Sequence, residues 1–166
     1  MRAWRGSFSS LDGTPRIIVA CVGNVLRRDD GFGYAVASRL TDLGAGAEVL
    51  ETGIGGIALL QELMRGCDGL IIVDAVQRDA VPGTVFEIEP AIGEPSSVPD
   101  MHLANPDQVL AMAKRMECLP ARVLLVGCQP QDADGLGEGL SPPVARAVGV
   151  AAERIAGIVA RWSVSA

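Results

Sequence analysis

At 166 residues, with 49% hydrophobic and 20% charged residues, the chain holds enough apolar material for one packed core, falls short of two full-sized domains, and excludes wholesale disorder. Fourteen Lys and Arg against twenty Asp and Glu leave a net charge of −6, which opposes attraction to phosphate backbones and excludes nucleic acid as an expected partner. No segment supplies the roughly 18 unbroken apolar residues of a membrane span, and Met1 to Arg16 lacks the apolar run of a secretory signal, so a cytoplasmic protein without a membrane partner is expected.

Residues 1–15, with Gly6, Ser7, Ser9, Ser10, Gly13 and Pro15, show no periodicity and are expected to form a flexible extension before a single α/β domain spanning 16–166. Ile17 to Val22 is a continuous apolar run closed by Gly23-Asn24, the pattern of a strand buried on both faces. From Asp30 onward Phe32, Ala35, Val36, Ala37 and Leu40 recur at helical spacing, with Asp29 and Asp30 at the positive end of the helix dipole. A short strand over Glu48 to Glu51, a Gly-rich turn at Gly53-Ile54-Gly55-Gly56 and a helix over Ile57 to Met64 come next. Leu70 to Asp74 is the clearest buried strand. Thr84 to Glu89 alternates, and the short Pro82-Gly83 connection before it suits antiparallel pairing better than a crossover.

A polar loop over Pro90 to Pro99 leads through His102 to a helix at Pro106 to Met116, and Arg122 to Gly127 reads as the last buried strand. After a Gly/Asp-rich loop, Ser141 is placed to cap a long final helix with Pro142 at its first position. Alternating βα units of this kind predict an α/β fold: a twisted, mostly parallel sheet of about five strands, helices on both faces and one antiparallel strand.

In such sheets ligands gather beyond the carboxyl ends of the strands. Asp30 follows the first strand, Asp74 ends the third, and His102 lies in the long loop before the third helix. Two carboxylates and an imidazole can hold a divalent transition metal and leave coordination positions open. Each has an ordinary reading as well: Asp29 or Asp30 as an acid at a helix N-terminus, Asp74 as a carboxylate tied to loop N–H groups, His102 as a solvated side chain. There is no Gly-x-Ser-x-Gly elbow, no phosphate-binding Gly-x-x-x-x-Gly-Lys and no His-Glu-x-x-His. Cys21, Cys67, Cys118 and Cys128 are scattered among apolar residues, as expected of inert buried thiols. Gly31-Phe32-Gly33, lying 20 residues before Glu51, mimics a dinucleotide fingerprint, but Val36 stands where that turn needs Gly or Ala, and Asp29 and Asp30 would repel a pyrophosphate.

The run Gly23-Asn24-Val25-Leu26-Arg27-Arg28-Asp29-Asp30-Gly31-Phe32-Gly33 resembles the opening signature of the hydrogenase maturation endopeptidases. The resemblance continues in order through Gly53-Ile54-Gly55-Gly56, Ile71-Ile72-Val73-Asp74-Ala75, Gly127-Cys128-Gln129-Pro130 and Gly139-Leu140-Ser141-Pro142, from about Arg16 to Trp162. It implies a peptidase that removes the C-terminal extension of a nickel-loaded hydrogenase large-subunit precursor. It also implies that Asp30, Asp74 and His102 contact the metal and serve catalysis. The nickel would belong to the substrate, so no tightly bound cofactor is expected, and a monomer suffices for a client that is itself a large protein. Two alternatives are a non-catalytic maturation chaperone that binds metal or nucleotide, and a small metallohydrolase with a resident metal.

Overall fold

The computed structural model describes residues 13–53, 56–94 and 106–164. Five strands, β1 (Ile17–Val22), β2 (Ala47–Gly53), β3 (Gly69–Ala75), β4 (Val85–Ile88) and β5 (Arg122–Cys128), form one sheet in the order β2-β1-β3-β5-β4. β2, β1, β3 and β5 run parallel, and β4 is antiparallel to β5. The helices are α1 (Phe32–Ala37), α2 (Gly56–Met64), α3 (Pro106–Arg115) and α4 (Pro142–Val164).

The unbroken apolar runs are explained by burial on both sides of the sheet. Alternate residues Ile17, Val19, Cys21, Ile71, Val73 and Val126 pack beneath α1 and α4, while Ile18, Ala20, Leu70 and Ile72 pack beneath α2 and α3. Every residue from Leu70 to Val73 is buried, each contributing on the order of 1.5–3 kcal/mol relative to exposure. α4 presents Val144, Ala147, Val148, Ala151, Ile155, Ile158 and Val159 to the core at three- and four-residue spacing, the stripe of a helix that covers a sheet. At the amino ends of the strands Arg16 ties the layers together, its Nη2 lying 2.8 Å from Glu48 on β2 and 2.7 Å from Glu62 on α2.

Three details depart from the sequence pattern. The helix expected from Asp30 to Leu40 is shorter: Arg28–Gly31 is a 3-10 turn, and α1 proper runs only from Phe32 to Ala37. No side chain caps α1, so neither Asp29 nor Asp30 serves as its cap. The antiparallel strand pairs with β5 and not with β3, because β5 occupies the place beside β3. Ser141 precedes α4 as expected, but its hydroxyl is committed to Asp29. Residues 1–12 of the expected N-terminal extension, Ile54 and Gly55 of the Gly-rich turn, and residues 95–105, including His102, lie outside the described residues.

The chain leaves β1 for β2 on one side and then crosses to β3 on the other. The carboxyl ends of β1 and β3 are therefore the switch point at which the loops diverge, the place where open α/β sheets form their ligand crevice. Asp30 and Asp74 belong to these two ends.

Candidate active site

The loop that follows β1 is folded tightly on itself. Gly23 has φ +137°, and a Cβ there would collide with the backbone carbonyl of Asp30, so only glycine permits this closure. The Asn24 N–H donates to Asp30 Oδ2 at 3.0 Å and to the Asp30 carbonyl at 3.2 Å, and Asn24 Oδ1 accepts the Leu26 N–H at 3.0 Å. Leu26 and Arg28 then pair through their backbones with Gly137. Asp30 is held partly buried by these contacts. Burial is the chief influence and lifts its carboxyl above the ordinary value; the Asn24 hydrogen bond and the Arg27 charge oppose this, and the Asp134 charge adds to it.

Asp29 has a different environment. It has no exposed surface. Its Oδ2 accepts the N–H groups of Gln131 and Asp132, both at 2.9 Å, and the Ser141 hydroxyl at 2.8 Å, while its Oδ1 accepts the Ser141 N–H at 2.7 Å. Burial opposes its ionisation, yet these hydrogen bonds together outweigh burial and hold the carboxyl below the usual range. With both oxygens occupied, Asp29 is not available as a ligand or a base.

Asp74 is the penultimate residue of β3. By alternation it lies on the sheet face covered by α2 and α3, opposite Val73. Its Oδ1 accepts the Ala75 N–H at 2.8 Å. Burial raises its carboxyl to about 7; the Ala75 hydrogen bond opposes this, and the charges of Asp30 and Asp107 push it further. The two carboxyls do not ionise independently, because charge on Asp30 disfavours charge on Asp74. The structure thus brings Asp30 and Asp74 within electrostatic reach of each other at the crevice between β1 and β3.

Asp107, an exposed acid in the first turn of α3, adds to the same field, and its only sequence signal was that position. Among the described residues no three His, Cys, Asp or Glu side chains converge as a metal site; His102 lies outside them. A second residue whose part was not legible in the sequence is Gln129, 2% exposed and directly after β5. Its Oε1 accepts the N–H groups of Arg78 and Ala80 at 2.8 and 3.3 Å, and its Nε2 donates to Gln77 Oε1 at 3.0 Å and the Pro130 carbonyl at 3.2 Å. Gln129 braces the segment that continues from Asp74.

Two competing chemistries lose support. A Cβ on Gly33 would meet the Val22 carbonyl and lie 2.7 Å from the Val73 carbonyl, so this glycine lets α1 approach the sheet and faces acceptor oxygens that would repel a phosphate. Burial raises the thiols of Cys21, Cys67 and Cys128 to about 12 and also lifts that of Cys118, which disfavours the nucleophilic thiolate. No helix among the described residues is long and apolar enough to cross a membrane.

Comparison with known proteins agrees with this geometry. Residues 35–158 match the family model of the hydrogenase maturation proteases. The chain is 30% identical over 158 residues to the hydrogenase expression/formation protein HupD of Rhizobium leguminosarum bv. viciae, covering 91% of this chain and 77% of the relative. Its fold is similar to that of the hydrogenase maturating endopeptidase HybD from E. coli, with a TM-score of 0.75 and 27% identity over 88% of this chain and 93% of that one. It is also similar to the [NiFe] hydrogenase maturation protease HycI from Thermococcus kodakarensis KOD1, with a TM-score of 0.69 and 27% identity over 89% and 94% of the two chains. A family match across most of the chain, a relative matched over 91% of this chain and a shared fold leave one assignment: this chain belongs to the hydrogenase maturation proteases and is an endopeptidase.

Proposed function

We propose that this protease removes the C-terminal extension of a hydrogenase large-subunit precursor, and that Asp30, Asp74 and His102 recognise nickel already seated in that precursor. The observation that carries the reading is the meeting of Asp30 and Asp74 at the crevice between β1 and β3, where burial and mutual charge leave Asp74 titrating near neutrality. A carboxyl in that state readily releases its proton to solvent when a divalent cation arrives, because the cation favours the charged form. His102 is four residues before Pro106, a span of at most about 14 Å, and α3 already stands close enough for Asp107 to act on Asp74. Two carboxylates and one imidazole make a weak permanent site but a serviceable partial one, with the remaining positions on the metal filled by ligands of the precursor. The nickel is thus part of the substrate, and the protease needs no tightly bound cofactor of its own.

The test is to incubate the purified protease with nickel-loaded and with nickel-free precursor and follow loss of the C-terminal extension by intact mass. Cleavage of the loaded form alone is expected. Equal cleavage of both would overturn nickel recognition, and a stoichiometric metal in the protease as isolated would favour a resident-metal hydrolase instead.

A further inference from the structure

We infer that Asp29 is a positioning residue for the peptidase reaction: it locks the loop carrying Asp30 to the start of α4, so that Asp30 is aimed at the crevice before substrate arrives. The inference rests on the reading of Asp30 as a site residue.

Asp29 and Asp30 share one 3-10 turn, and their carboxylates have separate tasks. Asp29 accepts hydrogen bonds from residues 131, 132 and 141, more than a hundred positions along the chain, and its own N–H donates to the Asp132 carbonyl at 3.0 Å. Asp30 accepts from Asn24 within its own loop and acts on Asp74 across the crevice. The turn is therefore fixed on one side by a buried carboxylate, and only the other side is left to present a functional one. Ser141 shows the priority of this bond. It stands directly before α4, where a serine hydroxyl ordinarily accepts a helix N–H, yet it donates to Asp29. The Arg27–Asp134 and Arg28–Asp132 ion pairs, at 3.3 and 3.5 Å, join the same two segments, but they lie at exposed side chains and hold them only weakly. Asp29 is the buried side-chain tie between them, beside the backbone pairing of Leu26 and Arg28 with Gly137. Such a tie removes the motion that would otherwise have to be frozen out as the reacting groups align, so its loss should appear in kcat.

Asp29→Asn replaces an acceptor oxygen with an amide that faces donors. With nickel-loaded precursor as substrate, its kcat should fall roughly tenfold to a hundredfold, the scale of misplacing a reacting group, with KM within about twofold of wild type. Ser141→Ala, which removes the one hydroxyl bond, should show a smaller fall in the same direction, and it decides the matter if Asp29→Asn does not fold. Exchange of the Asn24 amide, followed by NMR, should accelerate in both variants while core amides of β3 keep their protection. Ile158→Val, a core truncation in α4 that destabilises without touching the loop, should keep wild-type kcat. A folded Asp29→Asn or Ser141→Ala with unchanged kcat would overturn the inference, and so would an equal loss of kcat in Ile158→Val. Asp30→Asn, run in parallel, separates this failure from that of the underlying reading: full activity in Asp30→Asn would remove Asp30 from the site, whereas an inactive Asp30→Asn beside a fully active Asp29→Asn would overturn only the positioning role.

Discussion

Asp30 and Asp74 come from loop and strand segments on either side of two crossovers and lie within electrostatic reach of each other at the carboxyl edge of the sheet, where the charge of Asp30 strengthens the hold of Asp74 on its proton. Burial is the larger influence, and the two together keep Asp74 half-protonated near neutral pH. A carboxyl kept in that state without a cation is a cost to the fold at physiological pH, which supports the proposed role of Asp74 in the site.

That cost has a definite pH dependence. Asp74 titrates at about 7 in the folded protein, against about 3.9 when unfolded, so between these values the native state holds a proton that the unfolded chain has released. Stability must then fall as pH rises through this window, by an amount on the order of a few kcal/mol once Asp74 is fully ionised. Asp74→Asn should therefore raise Tm at pH 8, leave it nearly unchanged at pH 4, and abolish processing. A Tm difference independent of pH would show that Asp74 does not titrate in this way.

His102→Ala should abolish processing of nickel-loaded precursor while the protein still folds, since its proposed task is to contact the substrate's metal. Thermal melting alongside the mass assay checks both halves. A variant that processes normally would remove His102 from the proposed metal-reading set.

Gly33→Ala should be among the most damaging single-methyl changes in the protein. The added carbon meets the Val22 carbonyl and stands 2.7 Å from that of Val73, both backbone atoms of central strands that cannot swing aside. α1 would have to retreat, loosening buried Phe32 and Val36, at a cost of about 3 kcal/mol or more. Urea unfolding measures it, and because the site loop leads into α1, activity should drop with stability.

Gln129→Leu keeps the approximate volume but removes the side-chain Oε1 that accepts the N–H groups of Arg78 and Ala80. Unfolding free energy should fall by about 1–2 kcal/mol, because the two N–H groups are only partly buried and water can replace part of what Oε1 supplied. Hydrogen exchange should locate the loosening in residues 76–84, beside Asp74, with α2 unaffected.

Much of this architecture can be read from local pattern. The runs Ile17–Val22, Gly69–Ala75 and Arg122–Cys128 are apolar at every position because both faces are covered, and the helical stripe of α4 repeats over many turns. From these a parallel sheet and its carboxyl edge follow, and with the edge come Asp30 and Asp74 as candidates. The order of the resembling motifs along the chain also pointed to the family that the comparisons establish.

Other features needed the chain to be folded. Asp29 and Asp30 are identical in type and adjacent in sequence, so periodicity cannot tell them apart; their difference lies in donors supplied by residues 131, 132 and 141 to one of them and by residue 24 to the other. Gln129 likewise acquires its part only because the segment after β3 turns back over the end of β5. β4 could be seen to be antiparallel from its short connection, but its partner was settled by the insertion of β5 beside β3. Sequence by itself determined the elements, the edge at which chemistry collects and the residue types gathered there, since burial on a strand or helix leaves a periodic trace. Tertiary structure alone decided which carboxylate is a tie and which faces the crevice, since the energy of a buried charge depends on the donors around it, and these come from distant parts of the chain.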